Sequence, residues 1–280
     1  MRPHGGEPER SAPGAKRART MLRAPMLLIA VAGLAWSATS AVEATRAAAL
    51  SEIAERTLAG QKVGLKALNT ILQVNRPTGC SAAEQAEALT IISFARTRQV
   101  LASRIFAEEQ LADLEERAMA ALECHPHRPL PWYLLFWART QRLGYQAEHL
   151  PLLEMSYRLG PHEAWLQALR APFLMNLFDE LPQANQRAAL ADYENLLRTG
   201  LFIAAAQSLT NAPSEIRAEM LAAANRIPPH DLQRFGMALR TFDSSVEGSQ
   251  SGNSEQEQWA PHLEALERIR SLLQGAEDNR

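Results

Sequence analysis

Apolar residues recur at three- and four-residue spacing along most of this 280-residue chain, and alternating β-branched runs are absent. That period predicts an all-α fold. Residues 1–20, with Gly5, Gly6, Pro8, Pro13 and Gly14 among charges, lack apolar periodicity and are expected to be disordered. An uninterrupted apolar run fills 24–42. Beyond it Leu50, Ile53, Ala54, Leu58, Leu65, Leu68 and Leu72 share helical spacing to about residue 73, with Gly60 and Gly64 as weak points. Paired helices are then predicted at 82–102 with 107–123 and at 131–143 with 147–159, followed by 163–178, 183–201, 214–225 and 229–242. Their short polar or proline-containing joints place consecutive helices antiparallel. Residues 244–258 have linker composition. One last helix, 259–274, carries Trp259, Leu263, Leu266, Ile269 and Leu273 on one face.

The domain reading is therefore a basic tail (1–23), a transmembrane anchor or signal peptide (24–42), a stalk helix (43–76), a helical domain (77–243), a linker (244–258) and a C-terminal amphipathic helix (259–280). Run length just meets the roughly 20 apolar residues that a spanning helix needs. Its strongest part, 26–36, equally has the length of a secretory hydrophobic region, and the small residues Ser37-Ala38-Thr39-Ser40-Ala41 follow it like a cleavage region. Good helix formers continue after Val42, which favours the anchor.

Charge sets the orientation. Arg2, Arg10, Lys16, Arg17, Arg19 and Arg23 against Glu7 and Glu9 give the head +4, so the whole-chain value of −2 leaves −6 for the remainder. Basic flanks stay cytoplasmic, so the chain is expected to be a single-pass protein of a bacterial inner membrane, N-terminus inside and bulk periplasmic. A mildly acidic remainder without a basic patch argues against nucleic acid as a partner.

In an oxidising compartment the two cysteines gain meaning. Cys80 precedes one helical pattern and Cys124 ends the next, so an antiparallel hairpin would bring them together. A disulfide closing a loop of about 45 residues would stabilise the fold by roughly 4 kcal/mol. Two separate buried thiols are the alternative.

An internal repeat shows in two copies. Ala120-Ala121-Leu122 leads to Pro126-His127 and Trp132-Tyr133-Leu134; Glu154-Met155-Ser156 leads to Pro161-His162 and Trp165-Leu166. The intervals Pro126 to Pro161 and Trp132 to Trp165 are 35 and 33 positions, bracketing a period of about 34. With Leu143-Gly144-Tyr145, residues 80–200 resemble divergent tetratricopeptide-like (TPR-like) repeats. That resemblance implies helix pairs stacked as a superhelix with a surface for protein partners. The layout, through Ala121-Leu122, Pro126, Trp132, the stretch 156–163 and Leu169-Arg170, is also similar to membrane-anchored accessory proteins of bacterial exopolysaccharide and envelope assembly. This similarity implies a scaffold without catalysis of its own.

Chemistry-bearing candidates are few. Cys124-His125-Pro126-His127 with Cys80 is rich enough in sulfur and imidazole for zinc or copper, but the histidines flank a proline, and oxidation would remove both thiolates. His162-Glu163 reads as a helix start, with Glu163 favoured by the dipole. Asp179-Glu180 resembles a glycosidase pair, yet adjacent helical residues point apart. Nucleophile elbows, phosphate-binding glycine loops and HExxH are absent. No catalytic residue, metal or cofactor is assigned. Trp132, Tyr133, Phe136 and Trp137 form a wide stripe expected in the core rather than as an exposed anchor. Arg139, Arg142, Arg158 and Arg170 are candidates for lining a partner-binding groove, against the simpler reading of solvated charges.

The functional expectation is a non-catalytic, membrane-anchored protein–protein interaction scaffold of the cell envelope. A glycan-acting enzyme or subunit, and a cleaved soluble periplasmic binding module, are the alternatives.

Overall fold

The structure is a computed structural model that describes residues 13–58, 61, 63–75, 80, 83–103 and 107–247. Eleven α-helices and two short 3-10 turns make up its regular structure among those residues. The expected linker, 244–258, begins as helix, since 244–247 close the last helix, Pro229–Glu247; its remainder and the C-terminal amphipathic helix lie outside the described residues, as do residues 1–12 of the basic tail. The chain divides into two compact units, Met1–Ile105 and Phe106–Arg280.

In the first unit, α1 (Pro13–Leu58), α2 (Leu65–Val74) and α3 (Ala83–Ala102) are grouped by packing of α1 and of α2 on α3. The contacts come from i,i+4 pairs: Leu50 and Ala54 on α1, Leu68 and Leu72 on α2, all buried. Buried hydroxyls on α3 are satisfied within its own helix, Thr90 Oγ1 donating to the Ala86 carbonyl at 2.7 Å and Thr97 Oγ1 to the Ser93 carbonyl at 2.8 Å. Gln99 donates to the Val63 carbonyl at 3.0 Å and so ties the α1–α2 connection to α3.

The single stalk helix expected at 43–76 is two helices. Gly64, one of the weak points seen in sequence, is extended (φ −63°, ψ 138°) where α2 begins, so α2 starts as a separate helix. What the sequence separated at Val42, the backbone joins: α1 is one helix of 46 residues. Among the described residues, no helix is long and apolar enough to cross a membrane. The strongly apolar part, 26–36, is itself shorter than a span requires.

The second unit is a run of helices: α4 (Glu108–Cys124), α5 (Pro129–Leu143), α6 (Leu150–Leu159), α7 (Ala164–Met175), α8 (Gln183–Arg198), α9 (Phe202–Asn211), α10 (Ser214–Ala224) and α11 (Pro229–Glu247). Turns Ala147–His149 and Phe178–Glu180 precede α6 and α8. Prolines at the starts of α5 and α6 sit where a missing N–H costs nothing. Neighbours in sequence pack on one another: α4 on α5, α5 on α6, α7 on α8, α8 on α9. Contacts between α7 and α9, α8 and α10, and α9 and α11 add the next layer.

The sequence reading has no helix at 202–211, where α9 lies. Gly200, at φ +75°, closes α8 with a Schellman turn in which Leu201 N–H donates to the Leu196 carbonyl and Gly200 N–H to that of Leu197. A new helix starts two residues later. Phe202, Ala205, Ala206 and Leu209 bury its inner face in a core that also holds Phe136, Leu153, Leu174, Tyr193, Leu196 and Phe235. Those four α9 residues fall at i, i+3, i+4 and i+7, a helical period that the sequence reading passed over.

Tyrosine hydroxyls link successive layers. Tyr133 on α5 donates to the Leu169 carbonyl on α7 at 2.7 Å, and Tyr193 on α8 donates to the Met220 carbonyl on α10 at 3.0 Å. At the joint after α6, a Cβ on Gly160 would lie 2.8 Å from Pro129 Cγ, so only glycine lets this turn rest on the start of α5.

Candidate functional site

The second unit contains two arginine centres, and they differ in depth. In the deeper one, Arg170 on α7 is wholly buried. Its Nε donates to Asp192 Oδ2 on α8 at 3.2 Å, and one terminal nitrogen donates to the Gly160 carbonyl at 3.1 Å. The guanidinium lies 4.1 Å from the Tyr157 ring centroid, while the Tyr157 hydroxyl donates to Asp192 Oδ2 at 3.0 Å. Gln167 donates to the Pro161 carbonyl at 3.0 Å and accepts from Asn195.

Burial pushes the Asp192 carboxyl above its ordinary value, opposed by the Arg170 guanidinium and the hydrogen bonds it accepts. The same burial, helped by the Asp192 charge, raises the Tyr157 phenol well above its own. A cation, a carboxylate and a phenol thus satisfy one another inside the stack. This centre locks α6, α7 and α8 together.

The shallower centre lies on α4 and α5. Glu115, with 11% of its side chain exposed, accepts from Arg142 at 2.5 Å and from Arg139 at 3.4 Å; Arg142 also pairs with Glu108 at 3.2 Å. The Arg139 and Arg142 side chains are 33% and 28% exposed. Two cations and two carboxylates leave the cluster neutral, with polar edges open to solvent. Beside it, at the α5–α6 connection, His149 is buried and its Nδ1 has no hydrogen-bond partner among the described residues. Burial first, and then the Arg139 charge, hold this imidazole below its ordinary value.

Of the four arginines expected at a groove, Arg139 and Arg142 share one carboxylate, and Arg158 is exposed on α6. Arg170 is in neither a groove nor solvent. Its apolar neighbours Leu166, Ala171 and Leu174 set it on the inward face of α7, so the four do not line one surface. Cys80 and Cys124 are both disulfide-bonded and, as the only cysteines in the chain, are bonded to each other. The neighbouring rings of His125 and His127 meet edge to face at 5.3 Å. Among the described residues, no three histidine, cysteine or acidic side chains converge as metal ligands.

Tyr133, Phe136 and Trp137 are core residues, as the stripe predicts, with Phe173 against both Phe136 and Trp137. Trp132 is half-buried and donates to the Pro126 carbonyl at 2.8 Å, closing the turn before α5. Asp179 and Glu180 are both exposed on the turn before α8, and Glu163 holds the N-cap position of α7 without a side-chain capping hydrogen bond.

Sequence reading missed Asp192, Tyr157, Gln167, Glu115 and His149. For Asp192 a signal exists: it shares a stripe with Ala189, Tyr193 and Leu196, and a carboxylate on an apolar stripe needs a partner. His149 offers none.

Comparisons with family models, curated proteins and solved structures find no match for this chain.

Proposed function

We propose that this protein is a membrane-anchored, non-catalytic scaffold of the bacterial cell envelope, accessory to polysaccharide or envelope assembly, whose helix stack binds other envelope proteins. The observation that carries the reading is the apolar surface of α1. Met26, Leu27, Leu28, Ile29, Val31, Leu34 and Trp36 are 61–76% exposed, and their positions cover every face of the helix. An apolar helix exposed all round is costly in water and favourable in hydrocarbon. Trp36, at one end of the run, suits the interfacial position that tryptophan favours.

The second support is architecture. Helix pairs that pack mainly on their neighbours leave an extended surface, which in TPR-like stacks receives peptides and helices.

The test is fractionation of cells expressing the full chain, combined with intact mass. The expected result is carbonate-resistant membrane association that deletion of 24–42 abolishes, protection of the bulk from added protease in intact cells with digestion in spheroplasts, and a mass that retains those residues. A soluble product cut near Ala41 would overturn the anchor in favour of a secreted binding module. Loss of function on alanine replacement of Glu163, Asp179 or Glu180, with fold and partner binding intact, would overturn the non-catalytic reading in favour of a glycan-acting enzyme.

A further inference from the structure

We propose that the connection between α5 and α6 is a pH-sensitive joint, in which proton uptake by buried His149 releases the turn Ala147–His149 and the start of α6 from α5. The inference is independent of the membrane reading. It begins from an anomaly of packing: an imidazole with 6% of its surface exposed whose Nδ1 finds no partner. Buried polar atoms are nearly always satisfied, and those that are not tend to mark strain or function.

Place and charge decide what a proton would do there. His149 directly precedes Leu150, so it occupies the N-terminal end of α6, where unpaired N–H groups make a second positive charge unfavourable. From α5, Arg139 opposes protonation, and Arg142 adds a further positive charge in the same cluster. From α4, Glu115 favours it, but Glu115 is already shared by both arginines, and Glu108 is engaged by Arg142. From the turn itself, Glu148 is exposed and also favours the charged form. Tyr145, in the same connection, has its phenol raised by burial and by Glu180, and it stays neutral as the solution is acidified.

A protonated His149 therefore finds Glu115 and Glu108 already paired with arginines, and only Glu148, exposed to solvent that screens its charge, is left to it. The cheapest relief is to leave the site, and the segment that carries it is a three-residue turn flanked by Gly144 at φ +77°. Movement of this turn would withdraw Leu150 and Leu153 from the core that they help to fill.

The direction with pH follows from linkage. The folded imidazole is held below the free value of 6.5, so below that pH the unfolded or opened state binds more protons. Closure is at full strength above about 6.5 and weakens as the pH falls from there through the folded value.

Two measurements on the full-length protein test this: NMR titration of the His149 ring, assigned by its loss in His149→Gln, and hydrogen exchange corrected for intrinsic rates. The ring should titrate below the free value, and Arg139→Gln should move it upward. Exchange protection over 146–153 should drop about tenfold between about pH 7.5 and 5 in wild type and stay level in His149→Gln, with α11 unchanged in both. A ring that titrates at or above the free value overturns the proposal, as does equal loss of protection in wild type and His149→Gln. Should His149→Gln fail to fold, the wild-type titration and its response to Arg139→Gln decide the matter.

Discussion

Arg170 and the pair Arg139/Arg142 have the same chemistry and sit in the same helical unit, yet one is sealed among α6, α7 and α8 while the others lie at the rim of α4 and α5. Each of the deep arginine's three guanidinium nitrogens has an acceptor, on Asp192, Ser156 or Gly160, and its face lies over the Tyr157 ring. The rim arginines share one carboxylate and keep polar edges in water. Depth rather than partner count sets what each is worth: a buried pair that loses one member strands a charge in low dielectric, whereas a rim pair can rehydrate.

The largest break in this contrast is Asp192→Ala, which leaves the Arg170 guanidinium buried and unpaired. Urea denaturation should report a loss of about 3–5 kcal/mol, and Arg170→Met with Asp192→Leu should restore most of it. Tyr157→Phe keeps the ring under the guanidinium but removes the donor to Asp192. A loss of about 1.5–3 kcal/mol is expected in the same measurement. Gly160→Ala sharpens the comparison from the backbone side, because its Cβ would meet Pro129 at 2.8 Å and shift the carbonyl that Arg170 binds. About 1–2 kcal/mol should be lost, and Pro129→Ala in the same chain should recover part of it. The smallest effect belongs to Glu115→Gln at the rim, below about 1 kcal/mol and shrinking further in 1 M salt, whereas the cost of Asp192→Ala should hardly respond to salt.

Much of this arrangement was legible in sequence. Helix class, most helix positions, the stripe through Tyr133, Phe136 and Trp137, and the cysteine pair all follow from periodicity and spacing. Where reading failed, the reason is physical. Arg170 looks like any surface cation until its i−4 and i+4 neighbours, Leu166 and Leu174, are counted with it. α9 carries a helical period of its own, but its separation from α8 depends on the left-handed turn at Gly200. Gly60 and Gly64 marked a weakness, but a break differs from a bend only once Gly64 is seen to be extended. His149 had no local signal, because its burial comes from helices that close over it.

The tyrosine links bear on how loosely side-chain identity constrains the stack. Both Tyr133 and Tyr193 donate to a main-chain carbonyl, at Leu169 and Met220, and every residue supplies that acceptor whatever its side chain. One partner in each link is therefore free to drift through substitution while the layers keep their register. A stack held in this way keeps its geometry under wide change at the accepting positions.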